Sequence, residues 1–168
     1  MDLLLMSGAM LCILLLTLLY RKAGVVPGNR TLSLLQKRIC YQAKPFLTDR
    51  ERRFYRELSQ GLSGTSLQVM AQVRLVDVVQ TAPGLNRADA LSLFRRISQW
   101  HCDFVVIDAR TFAVKAIVEL DERTHLRPER QRRDAIFNVV VAQAGIPLLR
   151  PRSVKAASEV AEVIRRLV

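Results

Sequence analysis

Cysteine is scarce in this chain of 168 residues: there are three, an odd number, and Cys12 stands apart from Cys40 and Cys102. Two remaining thiols so far apart build neither a disulfide framework nor a Cys-based zinc site. A reducing compartment is the simpler expectation. Charge is missing altogether from residues 3–20. Acid is short everywhere else, with 15 Asp and Glu against 26 Lys and Arg and a formal net charge of +11. Every Lys and Arg lies at or beyond Arg21, and Asp2 is the one acid before it, so the chain after the leader is one unit more positive still. Internal repeats and low-complexity tracts are absent. With half its residues hydrophobic, the composition excludes a disordered protein, a collagen and a disulfide-rich mini-protein. The chain beyond the leader is long enough for one real core.

The charge-free run reads LLLMSGAMLCILLLTLLY from Leu3 to Tyr20. As a helix it rises roughly 27 Å, close to the roughly 30 Å of a bilayer's hydrocarbon core. Arg21 and Lys22 come directly after it and mark the cytoplasmic side. A cleaved signal peptide wants the opposite order, with positive charge before the apolar run and small residues after it. The expectation is therefore an anchor over residues 1–22, N-terminus outside and C-terminus inside, in a bacterial inner membrane. A basic juxtamembrane linker over 23–47 comes next, then an α/β domain over 48–168. The linker can form a short helix over 30–40, and its cations can lie against anionic lipid.

Thr48, Asp49, Arg50 and Glu51 form a capping-box signature, Thr48 as N-cap and Glu51 at N3. Phe54, Tyr55, Leu58 and Leu62 then recur at helical spacing, so a helix runs to Gly61 or Gly64. A strand is expected over 68–76 and a helix over 88–98. An apolar strand comes next over 102–108, with a turn at 109–111 and a returning strand over 112–120. A helix over 127–144 ends at Gly145 as its C′ residue. A fourth strand covers 146–150, and Ser153 caps a last helix to Arg166. The hairpin strands are apolar on both faces, so helices should cover both sides of the sheet. The step from Glu119 to Leu148 resembles a βαβ crossover.

Asp103 and the run from Val118 to His125 carry the chemistry. A turn centred on Thr111 sets Asp103 opposite Glu119, with Cβ atoms about 5 Å apart, and Asp121 shares that face. Like charges opposed in an apolar hairpin destabilise it, and a divalent cation between them reverses the penalty. Oxygen-only ligands favour Mg²⁺ or Mn²⁺ over zinc. That geometry suits phosphodiester hydrolysis. The plain alternative is that these are solvated strand-end carboxylates, and a one-residue slip turns Asp103 away from Glu119.

The matching residues of a wider pattern are Glu51 with Phe54 and Tyr55, Gln72 to Leu75, His101 with Asp103, Glu119 with Asp121, His125, Arg133 with Asp134, and Ala144 to Pro147. Over these, from about Lys44 to Arg150, the chain resembles the bacterial domain-of-unknown-function family 2726. That family is similar to the PD-(D/E)XK, restriction-endonuclease-like nucleases, including very-short-patch-repair-like ones. The resemblance implies a mixed central sheet flanked by helices, with Asp103 and Glu119 as the metal carboxylates. Where the nuclease pattern has Lys, two residues after the second acid, this chain has Asp121, which leaves the lysine's job unassigned. His125 is a candidate for it, as a base or a phosphate contact.

Glu51 reads first as a capping carboxylate and second as a ligand. Arg123, Arg127, Arg130, Arg132 and Arg133 crowd one stretch with few acids to offset them. A solvated helix face is the common explanation of such a run. Arg123, Arg127, Arg130 and Arg133 read more sharply as phosphate contacts. Trp100 and Phe104 read as core. The expected function is a membrane-anchored, Mg²⁺- or Mn²⁺-dependent phosphodiesterase or nuclease acting on nucleic acid, DNA before RNA. The rival is a catalytically degenerate, membrane-tethered module that binds nucleic acid or a partner.

Overall fold

The computed structural model describes residues 28–121 and 128–167. The chain divides into two units, Met1–Pro45 and Phe46–Val168. In the first unit, helix α1 spans Gly28–Lys37. The second unit holds a mixed α/β fold built from α2 (Asp49–Gly61), β1 (Leu67–Arg74), α3 (Arg87–Ile97), β2 (His101–Asp108), β3 (Val114–Val118), α4 (Pro128–Gln143), β4 (Leu148–Leu149) and α5 (Ala157–Arg166). Short 3-10 turns at Leu75–Asp77 and Val154–Ala156 complete it.

Helix α2 begins where its capping box says it should. The Thr48 side chain accepts the N–H of Glu51, and the Glu51 carboxylate accepts the N–H of Thr48, so two orphan donors are satisfied reciprocally. The four strands lie in the order β1-β2-β3-β4. The first three are antiparallel neighbours, and β4 is parallel to β3.

Alternate residues of the hairpin feed two separate cores. Phe104, Val106, Ala116 and Val118 pack with Phe54 and Leu58 of α2 and with Val160, Ala161 and Ile164 of α5. The Phe54 and Phe104 rings stack at 5.4 Å. Val105, Ile107 and Ile117 pack with Phe137 and Val141 of α4 and Ile97 of α3. Helices thus cover both faces, which is why these strands are apolar throughout. A Cβ added at Gly61 meets the Cβ of Ala161 at 2.7 Å, so glycine sets how closely α2 and α5 approach.

Two expectations need correction. The fold class was expected to include a spanning helix, and the protein was expected at the inner membrane. Among the described residues no helix is long and apolar enough to cross a membrane. The longest, α4, has 16 residues and carries several charges, short of the roughly 20 apolar residues a span needs. The single-pass anchor and inner-membrane location are therefore not supported, and the fold is mixed α/β with a four-stranded sheet. Residues 3–20, on which that reading rested, lie outside the described residues.

Smaller differences have local causes. The returning strand starts at Val114 because Phe112 takes a left-handed backbone (φ 59°) and donates its N–H to Asp108 O. The extra length is absorbed as a register shift between Val106 and Ile107. Ser153 makes no side-chain cap; a 3-10 turn leads into α5 instead.

Candidate functional site

The carboxylates of interest lie just past the last hydrogen-bonded pair of the hairpin. Phe104 pairs with Val118, Val105 with Ile117 and Val106 with Ala116. The register shift falls on the turn side and leaves this end untouched. Continuing the register one step sets Asp103 against Glu119. Their side chains cross between strands: the backbone N–H of Asp103 donates to Glu119 Oε1 at 3.1 Å, and the N–H of Leu120 donates to Asp103 Oδ2 at 2.8 Å.

Burial dominates the electrostatics of this pair. It pushes the Glu119 carboxyl up to about 7, with the Asp103 charge adding to the effect and the bond from Asp103 N–H and the Arg150 and Arg133 charges opposing it. Asp103 is also raised by burial, against the hydrogen bond from Leu120, with Glu51 and Asp121 as further like charges. The neighbouring Cys102 thiol is buried beside both acids and pushed up to about 12. At neutral pH it is a protonated core group, not a nucleophile.

The acids line a cleft of about 240 Å³ that brings together Thr48, Arg50 and Glu51 of the α2 N-terminus, Asp121, Arg150, and Arg130, Arg133 and Asp134 of α4. Asp121 pairs with Arg150 Nη1 at 2.9 Å, both side chains less than a quarter exposed. Arg150 Nη2 bonds Asn138 Oδ1 at 3.0 Å, and the guanidinium lies 5.7 Å from the Phe137 ring centroid. Arg50 ties the segments that follow β3 and β4 to α2 by donating to the carbonyls of Leu120, Asp121 and Arg152.

Glu51 serves two purposes. Oε2 completes the capping box with Thr48, and Oε1 accepts from the Gln72 side-chain amide at 3.1 Å. Gln72 has a left-handed backbone (φ 55°) in mid-strand, a conformation that costs a non-glycine residue energy and recurs at functional sites. Across it the strand changes face: Val69 and Ala71 pack toward α2, whereas Val73 joins the other core.

Of the site residues read from the sequence, the structure gathers Glu51, Asp103, Glu119, Asp121, Arg130 and Arg133 at one cleft. Arg123, His125 and Arg127 lie outside the described residues. Sequence reasoning gave no role to Gln72, Arg50 and Arg150. A polar Gln amid strand-forming residues was a usable signal for the first. The two arginines act across long sequence separations and carried none.

Among the described residues no group of three or more His, Cys, Asp or Glu side chains is arranged to hold a metal. Asp103 and Glu119 are therefore a pair, and Asp103 Oδ1 and Glu119 Oε2 are left outside the two cross-strand bonds.

The family model described as "Protein of unknown function (DUF2726)" matches residues 43–167. The chain belongs to this family. The DUF2726 region runs from before α2 to the end of α5 and contains every residue of the cleft, whereas α1 lies outside it. No curated protein and no solved structure matches the chain. Nuclease kinship is no part of the family match, and the case for such chemistry rests on the cleft itself.

Proposed function

We propose that this DUF2726 domain is a metal-dependent phosphodiesterase acting on nucleic acid, its Asp103 and Glu119 holding Mg²⁺ or Mn²⁺. The observation that carries the reading is two half-buried carboxylates, each bonded to the other's strand, lining one cleft together with four arginines. Nothing in the core requires acids there, and their mutual repulsion costs stability. The donor set fits a hard cation: oxygen only, two carboxylates with one oxygen each outside the cross-strand bonds, and open volume for water and phosphate. When bound, such an ion supplies Lewis-acid polarisation and charge neutralisation at phosphorus.

The chain's own residues do the rest. The backbone N–H groups of Asp103 and Leu120 orient the two carboxylates. Burial pushes the Glu119 carboxyl up to about 7, so a cation held there would take the place of its proton. Arg130 and Arg133 face the cleft from α4 and suit the non-bridging oxygens of a phosphodiester.

The test is cleavage of single- and double-stranded DNA and of RNA by the full chain with Mg²⁺ or Mn²⁺. Activity that is lost in D103N and E119Q while nucleic-acid binding persists supports the reading. A wild-type chain that cleaves none of these substrates with either ion rejects catalysis.

One observation favours a second reading. Asp121, at the position where the PD-(D/E)XK pattern has lysine, is held in an ion pair with Arg150. Its charge is thereby committed within the protein. The alternative is a degenerate domain that binds nucleic acid through the same arginines without cutting it.

A further inference from the structure

The four described arginines of the cleft fall into two kinds. Arg50 and Arg150 spend their donors on protein carbonyls and on Asp121 and Asn138. Arg130 and Arg133 make no hydrogen bond or ion pair among the described residues. Of these two, Arg133 is nonetheless held, because its guanidinium lies over the Trp100 ring, 5.6 Å from the centroid. Trp100 itself is half-buried and braced by Phe137, ring centroids 6.4 Å apart. Phe137 is core.

A ring face attracts a guanidinium without using any of its N–H groups. An exposed arginine on a helix ordinarily samples many rotamers, and ordering it on binding costs free energy. Here the ring removes part of that cost in advance and leaves five donors for an incoming anion. Arg133 lines the same cleft as Asp103 and Glu119, so the positioned cation and the carboxylate pair address the same volume.

We propose that Trp100 is a positioning residue, whose ring holds Arg133 at the cleft so that its N–H edge meets the non-bridging oxygens of a phosphate group. This rests on the nucleic-acid reading above and names the device that orients the backbone within it. The phosphate belongs to a nucleic-acid strand; free inorganic phosphate has the same oxygens and is the control.

Trp100 is the sole tryptophan of the chain, so its emission reports on this one ring. The experiment titrates the full chain, with EDTA present, with a single-stranded DNA oligonucleotide and separately with inorganic phosphate. Tryptophan emission and affinity are measured at several salt concentrations. DNA is expected to change the emission of the wild type. R133Q should bind about 3- to 10-fold more weakly, in line with a cation–π contact and one phosphate contact, and lose the emission change. Its salt slope should fall by about one. W100L should weaken binding to the same extent, the double variant no further than either single one, and W100F should restore affinity. A merely structural role for Trp100 produces neither the non-additivity nor the rescue.

Unchanged affinity in W100L alongside weakened R133Q overturns the inference and leaves the proposed function standing. Should W100L fail to fold, an emission change that persists in R133Q overturns it and one that disappears supports it. A response to inorganic phosphate with none to DNA supports the Trp100–Arg133 pair and rejects the nucleic-acid reading. A wild type that answers to neither rejects both.

Discussion

Glu119 accepts the backbone N–H of Asp103 at 3.1 Å, while the Asp103 carboxylate accepts the N–H of Leu120 at 2.8 Å. Each acid is clasped by the other's strand. Hydrogen bonds to a carboxylate favour its charged form, yet burial wins at both residues. The pair is held in place and held partly protonated.

Stability should therefore depend on pH. Folded Glu119 keeps its proton to about pH 7, whereas the unfolded side chain releases it near 4.5. The folded state binds more protons between those values, so stability falls as pH rises through that window. Asp103 contributes with the same sign. The metal-free full chain should lose on the order of 2 kcal/mol between pH 5 and pH 8. E119Q should flatten the curve, raising the melting temperature at pH 8 and changing little at pH 5. Thermal melts across pH check this; equal slopes in wild type and E119Q contradict it.

The Asp121–Arg150 pair is expected to be structural as well as local to the site. R150M removes the Arg150 ion pair from Asp121 in a setting less than a quarter exposed. It also removes the bond to Asn138 and the guanidinium over Phe137. Losing these contacts together should cost about 1–3 kcal/mol. Denaturant unfolding of R150M measures it, and a loss within a few tenths of a kcal/mol of zero means that the pair is ornamental to stability.

Gly61 offers a test of helix packing away from the cleft. An alanine there gains about 1 kcal/mol of helix propensity but drives its Cβ into Ala161 at 2.7 Å. Overpacking of this kind costs about 1–3 kcal/mol, so G61A should be destabilising on balance. The double variant G61A/A161G should recover part of the loss. G61A more stable than wild type would show that α2 and α5 sit further apart than described.

Local signals were legible and long-range ones were not. Thr48 and Glu51 announced the start of α2 because a capping box is written within four residues. The opposition of Asp103 and Glu119 comes from a turn a few residues away, and the register shift at Ile107 does not reach that end of the hairpin. The left-handed backbone at Gln72, which moves Val73 to the other core, has no glycine to advertise it. The partners of Arg50 and Arg150 are set by how β3, β4 and α4 converge. A charge-free run of the right length suggested a membrane span from sequence, and among the described residues no helix supports one.

The most direct measurement of the central claim is calorimetric titration of the full chain with Mn²⁺ and with Mg²⁺ at pH 6 and pH 8. Asp103 and Glu119 should give one site, tighter at the higher pH because binding displaces the Glu119 proton, and absent in D103N and E119Q. Saturating cation should raise the melting temperature of the wild type and of neither variant. No heat of binding in the wild type at either pH, or a site that survives both substitutions unchanged, would contradict the account.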